Sequence, residues 1–106
     1  MRFSLSIYIN TKLFPKAEQF AMINQLQRAA ISIPANIAEG SGRSSDREFT
    51  RFLNISLGSL NEVETFLYLA KELKYFPENN FNILIKEADE LGSSIGALKK
   101  YLKTND

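Results

Sequence analysis

The chain has 106 residues, a net charge of +1 and 44% hydrophobic residues, with neither Cys nor His. This length fits one domain, residues 1–106, and the apolar content is sufficient for a packed core. The lack of Cys and His excludes disulfides and thiolate metal sites and removes the most common general base, leaving carboxylates, Lys and Tyr for any catalytic chemistry.

The N-terminus carries no recognisable targeting signal. Its first ten residues include one Arg and several apolar residues, but Ser residues interrupt them and no small-residue cleavage site follows. No apolar stretch approaches the ~18 residues needed to span a bilayer. We therefore predict a cytoplasmic protein without membrane contact, in which nucleic-acid binding requires a local basic cluster.

The first segment, before Pro15, has an ambiguous pattern. Apolar residues alternate with polar ones in the period-two pattern of a strand: Phe3, Leu5, Ile7 and Ile9. No second strand is available to pair with it, and a lone strand leaves its backbone hydrogen bonds unsatisfied. We therefore predict a short helix.

The second predicted helix runs from Lys16 to about Glu39. Its apolar residues are spaced three and four apart, as a core-facing helix requires: Ile23, Leu26, Ala30, Ile33 and Ile37. Pro34 lies inside it, so we expect a kink and a freed carbonyl near Ala30, which Ser, Asn or Arg side chains can satisfy. Two glycines are predicted to end the helix: Gly40 and Gly42.

The third helix begins with a capping box, in which Ser45 is followed three residues later by Glu48. It can continue to Tyr75, about 45 Å at 1.5 Å per residue. Its apolar residues span an arc of roughly 200°, more than a single core contact needs, so we predict a homo-oligomer. The alternative is that the N-terminal segment covers this surface. The interface candidates are Phe52, Ile55, Phe66 and Leu69.

The opposite side of the third helix carries a polar stripe at heptad spacing: Arg47, Arg51, Asn54, Gly58, Asn61 and Thr65. The stripe is either a solvated outer face or a surface that meets a partner. Gly58 favours the second interpretation slightly, because a Gly inside a helix costs roughly 1 kcal/mol relative to Ala and permits close approach.

The fourth helix is predicted after Pro77, with Asn80 as its N-cap. Its apolar residues recur three and four apart: Phe81, Leu84, Ala88, Leu91, Ile95, Leu98 and Leu102. Four helices with short connections predict an all-α, antiparallel up-down four-helix bundle, with a short first helix and a Pro-kinked second helix.

Polar residues of the second and third helices form the candidate sites. One stripe falls four, four and three residues apart and has a structural role as its simplest explanation: Arg28, Ser32, Asn36 and Glu39. Four arginines around the connection between these helices are candidate phosphate or partner contacts: Arg28, Arg43, Arg47 and Arg51. Interleaved acidic residues can pair with them: Glu39, Asp46 and Glu48.

An enzyme would have to use carboxylates, and the candidates are Glu39, Glu48, Glu62 and Glu64. The di-iron type of bundle site needs a Glu-x-x-His motif, and the chain has no His. We therefore predict no catalytic residue, no metal and no cofactor.

A long pattern of residues points to a known family: Gln27-Arg28-Ala29-Ala30-Ile31-Ser32-Ile33-Pro34-Ala35-Asn36-Ile37-Ala38-Glu39-Gly40, Gly42-Arg43, Glu48-Phe49, Arg51-Phe52-Leu53, Gly58-Ser59-Leu60, Glu62 and Glu64. In these residues the chain resembles the bacterial 23S ribosomal RNA intervening-sequence protein family, whose first helix looks longer. Weaker resemblance covers Ile7 to Pro15 and the fourth helix. Within this pattern we assign structural roles to Ser32, Pro34, Asn36, Glu39, Gly40, Glu48 and Gly58.

The resemblance implies a four-helix bundle that assembles into a ring-like homopentamer, with no catalytic residues. It also implies kinship with the accessory variability determinant proteins of diversity-generating retroelements, which bind nucleic acid and a reverse transcriptase. We therefore predict a non-enzymatic, pentameric scaffold or binding protein. The alternative is an RNA-binding, DNA-binding or reverse-transcriptase accessory protein that uses the arginine cluster.

Overall fold

The computed structural model describes residues 1–105, with side chains through Lys103. Its four α-helices are α1 Arg2–Thr11, α2 Asn24–Ser41, α3 Asp46–Glu72 and α4 Glu78–Asn105. Successive helices pack antiparallel, α3 lies between α2 and α4, and α1 closes the bundle by contacting α2 and α4. The predicted all-α four-helix bundle is therefore confirmed.

The helix α1 explains the misleading alternation of its sequence. Phe3 and Ile7 are buried, whereas Leu5 and Ile9 are 61% and 56% exposed. Residues four apart share one helix face, so two apolar pairs on opposite faces produce a period-two pattern without a strand. The short first helix is confirmed, and Leu5 and Ile9 form an exposed apolar face on it.

The chain between α1 and α2 is helical but irregular. A 3₁₀ turn covers Lys16–Glu18 and a π-helical turn covers Gln19–Ile23, so the α-helix starts eight residues later than predicted, at Asn24. Tyr75 anchors this segment, because its hydroxyl donates a 2.6 Å hydrogen bond to Glu18. That hydrogen bond, partial burial and the negative charge of Glu18 raise the pKa of Tyr75.

The helix α2 continues two residues past the predicted Glu39, to Ser41. Gly40 stays inside the helix, and Gly42 caps it with a φ of −87°, in the right-handed region. Of the two glycines, Gly40 therefore does not end the helix. Pro34 lies within α2 as predicted, and the kink at that position stays a prediction.

The helix α3 begins as predicted, with the Glu48 amide donating to the Ser45 hydroxyl at 3.1 Å. It ends at Glu72, short of the predicted Tyr75. Lys74 has a φ of 59°, and the Tyr75 amide donates to the Ala70 carbonyl at 3.0 Å. This left-handed closure satisfies carbonyls of the last turn and is more typical of Gly than of Lys.

The helix α4 begins at Glu78, directly after Pro77. The Pro77 carbonyl accepts the amides of Asn80 and Phe81 at 3.0 and 3.2 Å. Asn80 therefore lies in the first turn, and its prediction as the N-cap is wrong. Its side-chain amide instead donates to Asn10 Oδ1 at 2.9 Å and links α4 to α1.

The core lies along the length of α3, where Leu53, Leu60, Val63 and Leu67 are at most 2% exposed. Each such side chain contributes roughly 1.5–3 kcal/mol by leaving water. Most apolar positions predicted for α4 face them and are buried: Phe81, Leu84, Ala88, Ile95 and Leu102. The three-four spacing in the sequence therefore identified the inner face of α4 correctly.

Candidate functional site

Two of the four predicted arginines meet on one aromatic ring. The Arg43 and Arg51 guanidinium carbons lie 5.0 and 4.5 Å from the centroid of the Phe52 ring, and Phe52 is buried. Arg43 follows the end of α2 and Arg51 lies in the second turn of α3, so the short connection brings them together. Cation–π contacts of this kind contribute about 0.5–1 kcal/mol at exposed sites.

Each of these two arginines also has a carboxylate partner. Arg43 forms an ion pair with Glu39, and the Arg51 Nε lies 3.1 Å from a carboxylate oxygen of Glu48. The hydrogen bond from Arg51 and its positive charge lower the pKa of the Glu48 carboxyl. Two cations and two anions therefore offset one another here, which weakens this surface as a phosphate site.

The other two arginines lie on different surfaces. Arg47 lines a groove between α3 and α4 that also contains lysines of α4. Arg28 is in the second turn of α2, about 20 Å along the helix axis from Ser41 at a rise of 1.5 Å per residue. The structure does not bring the four arginines together, and their contact with nucleic acid or a partner stays a prediction.

Polar residues of the α2 stripe connect α2 to α3. The Asn36 side-chain amide donates to the Ser32 carbonyl at 2.8 Å and to the Ser32 hydroxyl at 2.9 Å. The Ser59 hydroxyl of α3 donates to the same Ser32 hydroxyl at 2.8 Å. Ser32 and Asn36 therefore connect to α3 through Ser59, and their structural role stays a prediction.

Pro34 changes the hydrogen bonding of α2, because it has no N–H to donate to the Ala30 carbonyl four residues earlier. The Ser4 hydroxyl of α1 donates to that carbonyl at 2.6 Å. The Ser56 hydroxyl of α3 donates to the Ile33 carbonyl at 2.9 Å. Both serines are buried, so α2 receives hydrogen bonds from both neighbouring helices around its proline.

Two glycines of the motif have opposite surroundings. A Cβ at Gly40 would lie 2.7 Å from Phe52 Cβ and 2.8 Å from Phe49 Cδ1, so only Gly allows α2 and α3 to approach this closely. A Cβ at Gly58 would have nothing within 4 Å. The predicted close approach at Gly58 therefore has no counterpart inside the described chain.

The sequence that forms this bundle matches a known family. The profile of the 23S rRNA-intervening sequence protein family matches residues 1–97. The chain belongs to this family. The match includes α1, α2, α3 and most of α4, so it covers Pro34, Gly40 and the two buried serines described above.

A solved relative has the same fold. It is a protein of unknown function from the S23 ribosomal protein family of Bacteroides thetaiotaomicron, whose crystal structure was determined at 1.70 Å resolution. The two structures superimpose with a TM-score of 0.86 at 27% sequence identity, over 93% of each chain. No curated protein matches the sequence significantly.

The four predicted interface residues of this family member differ in exposure. Phe52 is buried under the two arginines and Phe66 is half-buried against the core, whereas Ile55 and Leu69 are 41% and 46% exposed. Leu73, the residue that follows α3, is also exposed and lies four residues after Leu69. Ile55 lies fourteen residues before Leu69 on the same side of α3, and exposed Glu62 lies midway between them.

The sequence reasoning missed a second apolar row. It begins on α1 with Leu5 and Ile9 and continues to Leu13 in the turn after the helix, and all three are more than half exposed. Their spacing of four residues is the signal that identifies one helix face. The chain therefore exposes apolar rows on two different helices.

The carboxylates considered for catalysis do not converge. Glu39 and Glu48 hold arginines, Glu62 is exposed, and Glu64 faces α4. Partial burial raises the pKa of Glu64, and the negative charge of Asp89 raises it further. Within the described part of the chain, no three acidic side chains are arranged to hold a metal ion. Nor does any described helix have the length and apolar character needed to cross a membrane.

Proposed function

We propose that this protein is a non-enzymatic, cytoplasmic scaffold that assembles with copies of itself through two different apolar rows. The α1 row consists of Leu5 and Ile9 on α1 and Leu13 just after it. The α3 row consists of Leu69 near the end of α3 and Leu73 just after it, with Ile55 fourteen residues earlier on the same side and Glu62 between them. The exposure of both rows on one chain is the observation that carries the proposal. Apolar surface of this kind, organised on helix faces, is typical of protein–protein contacts.

The surface beside the α3 row favours contact with another helix. The neighbouring stripe is exposed but uncharged over four positions, and these are Asn54, Gly58, Asn61 and Thr65. A helical Gly costs roughly 1 kcal/mol relative to Ala, and Gly58 makes no close contact within the chain that explains it. In the proposed assembly, Gly58 lets a helix of the next copy approach the backbone of α3.

Two unlike rows favour a ring. If the α1 row of one copy packs on the α3 row of the next, each copy uses both rows, and repeated contacts of this kind close into a ring when the rotation permits. A contact of one row with itself would give a twofold dimer instead. Five copies are the number that the family resemblance implies.

The alternatives have less support. The pairs Arg43–Glu39 and Arg51–Glu48 offset charge on the surface where nucleic-acid binding was predicted. Two of the carboxylates considered for catalysis, Glu39 and Glu48, are engaged with these arginines. The lack of Cys fits the reducing cytoplasm in which we place the scaffold.

Two single substitutions test the assembly. Ile9→Lys places a charge in the α1 row and Leu69→Lys places one in the α3 row, and both sites are exposed, so the fold should persist. We expect light scattering to show an oligomer for the wild type and a monomer for each variant. An equimolar mixture should form a dimer, because each variant retains one intact row that fits the other.

Ile83→Lys is the matched control, because Ile83 is 52% exposed on α4, outside both rows. This variant should assemble like the wild type. A wild-type monomer at micromolar concentration would overturn the proposal. A mixture of the two row variants that stays monomeric would reject the pairing of unlike rows.

A further inference from the structure

A groove of about 430 Å³ lies between the first turns of α3 and the last turns of α4. Its described lining contains four cationic side chains and no acidic one: Arg47, Thr50, Gly96, Lys99, Lys100 and Lys103. Two other grooves of similar size differ, because one includes Glu87 and Glu90 and the other includes Glu72 and Glu78. The α3–α4 groove is therefore distinguished by the sign of its charge.

The fold creates this concentration of charge from distant parts of the chain. Two lysines lie three and four residues after Gly96, and these are Lys99 and Lys100. Lys103 follows them by four and three residues, so all three lysines lie along one side of α4. The antiparallel packing of α3 and α4 then brings Arg47 to the same groove. The proposed assembly through α1 and α3 is not needed for this arrangement.

Helix dipoles explain only part of the arrangement. Lysines near the C-terminus of α4 complement the negative end of that helix, with or without a ligand. Arg47, however, lies in the first turn of α3, where the helix dipole disfavours a cation. The nearby Glu48 carboxylate is held by Arg51, and the charge of Arg47 lowers the pKa of Glu48 less than the charges of Arg51 and Arg43 do, so Glu48 is a minor partner of Arg47.

The groove also contains space and a hydroxyl. A Cβ at Gly96 would meet nothing within 4 Å, and Thr50 contributes a potential hydrogen-bond donor. Lysines bind phosphate as point charges and arginine can bind two phosphate oxygens at once. We propose that the α3–α4 groove binds a ligand with adjacent phosphate groups, either the phosphodiester backbone of a nucleic acid or a free polyphosphate.

Fluorescence anisotropy with a labelled short single-stranded RNA, the same sequence as DNA, and unlabelled tripolyphosphate as competitor tests this proposal. Wild-type protein should bind a labelled probe at low salt. If two phosphates are neutralised, affinity should fall about tenfold between ~50 and ~200 mM salt. If tripolyphosphate displaces the RNA at a phosphate concentration similar to that of the RNA, the site is assigned to free polyphosphate. If tripolyphosphate does not displace the RNA, the site is assigned to nucleic acid.

The variant Lys99→Glu/Lys103→Glu should weaken binding at least about tenfold, because it reverses two charges in the groove. Lys16→Glu/Lys86→Glu changes net charge equally at exposed positions elsewhere and should leave affinity nearly unchanged. Gly96→Leu fills the groove without changing charge and should weaken binding too. Circular dichroism checks that each variant folds.

Equal losses in the two double variants would mean that net charge alone attracts the probes, which overturns the proposal. An unchanged affinity in a folded Gly96→Leu variant would place binding outside the groove. Failure of every probe to bind wild-type protein at low salt would also overturn it. The state of assembly, measured separately by light scattering, keeps this test distinct from that of the scaffold.

Discussion

The two helices that flank α3 are held in different ways. Around Pro34, α2 receives buried hydrogen bonds from Ser4 on α1 and Ser56 on α3, and Gly40 places its backbone against α3. On the other flank, α4 packs mainly through apolar side chains and leaves the space at Gly96 open. A helix that contains a proline needs polar contacts from its neighbours, whereas a regular helix such as α4 can leave a groove available for a ligand.

The largest expected difference between α2 and α4 is in the free energy of unfolding when a glycine of each helix is replaced by Ala. Gly40→Ala introduces a Cβ with contacts below 3 Å, and overpacking of this kind costs about 1–3 kcal/mol, more than the gain in helix propensity. Gly96→Ala should instead raise the free energy of unfolding by roughly 0.5–1 kcal/mol. Urea unfolding of both variants measures the difference. Equal effects of the two substitutions would contradict the contrast between the flanks.

A smaller effect is expected at Ser4. Ser4→Ala leaves the buried Ala30 carbonyl without the Ser4 donor and should cost about 1–2 kcal/mol. In a Pro34→Ala background the cost should shrink, because the new amide at position 34 can donate to the same carbonyl. Ser6→Ala is the control, since the Ser6 hydroxyl donates to the Arg2 carbonyl at an exposed site. A double-mutant cycle measures the coupling, and additive costs would refute this role for Ser4.

The smallest effect concerns Glu64 on the α4 flank. Its pKa is raised in the folded protein, so the ionised carboxylate destabilises the fold above that pKa, and protonation relieves the effect as pH falls through it. Glu64→Gln should therefore raise Tm slightly at about pH 7 and leave it unchanged at about pH 3. Thermal unfolding at both pH values tests this. Glu62→Gln, at an exposed position on the same helix, is the control and should change Tm less.

Regular spacing made much of the fold predictable. The apolar repeat from Phe81 to Leu102 and the cap at Ser45 depend on contacts within a few residues, so local sequence identifies them. The end of α3 was placed too late because Lys74 adopts a left-handed conformation that its residue type does not indicate. Asn80 was misplaced because Asn favours helix caps, whereas here Pro77 precedes the helix and Asn80 contacts Asn10.

The candidate sites were less predictable. Arg43, Arg47 and Arg51 are spaced four residues apart and Arg28 lies on the preceding helix, but only Arg43 and Arg51 share a contact, on Phe52. Arg47 instead joins lysines about fifty residues away, and their spacing at the end of α4 was the available signal. Which charges meet depends on the rotation and pairing of whole helices, and local patterns carry little information about either.

The sequence by itself determined the four helices, most of their inner faces and the exclusion of Cys and His chemistry, since each depends on composition or on spacing within one helix. Only the tertiary structure decided which donor reaches the Ala30 carbonyl, where Gly40 meets α3, and which cations share a groove. Those features join residues on different helices, so they exist only once the helices have packed in one register.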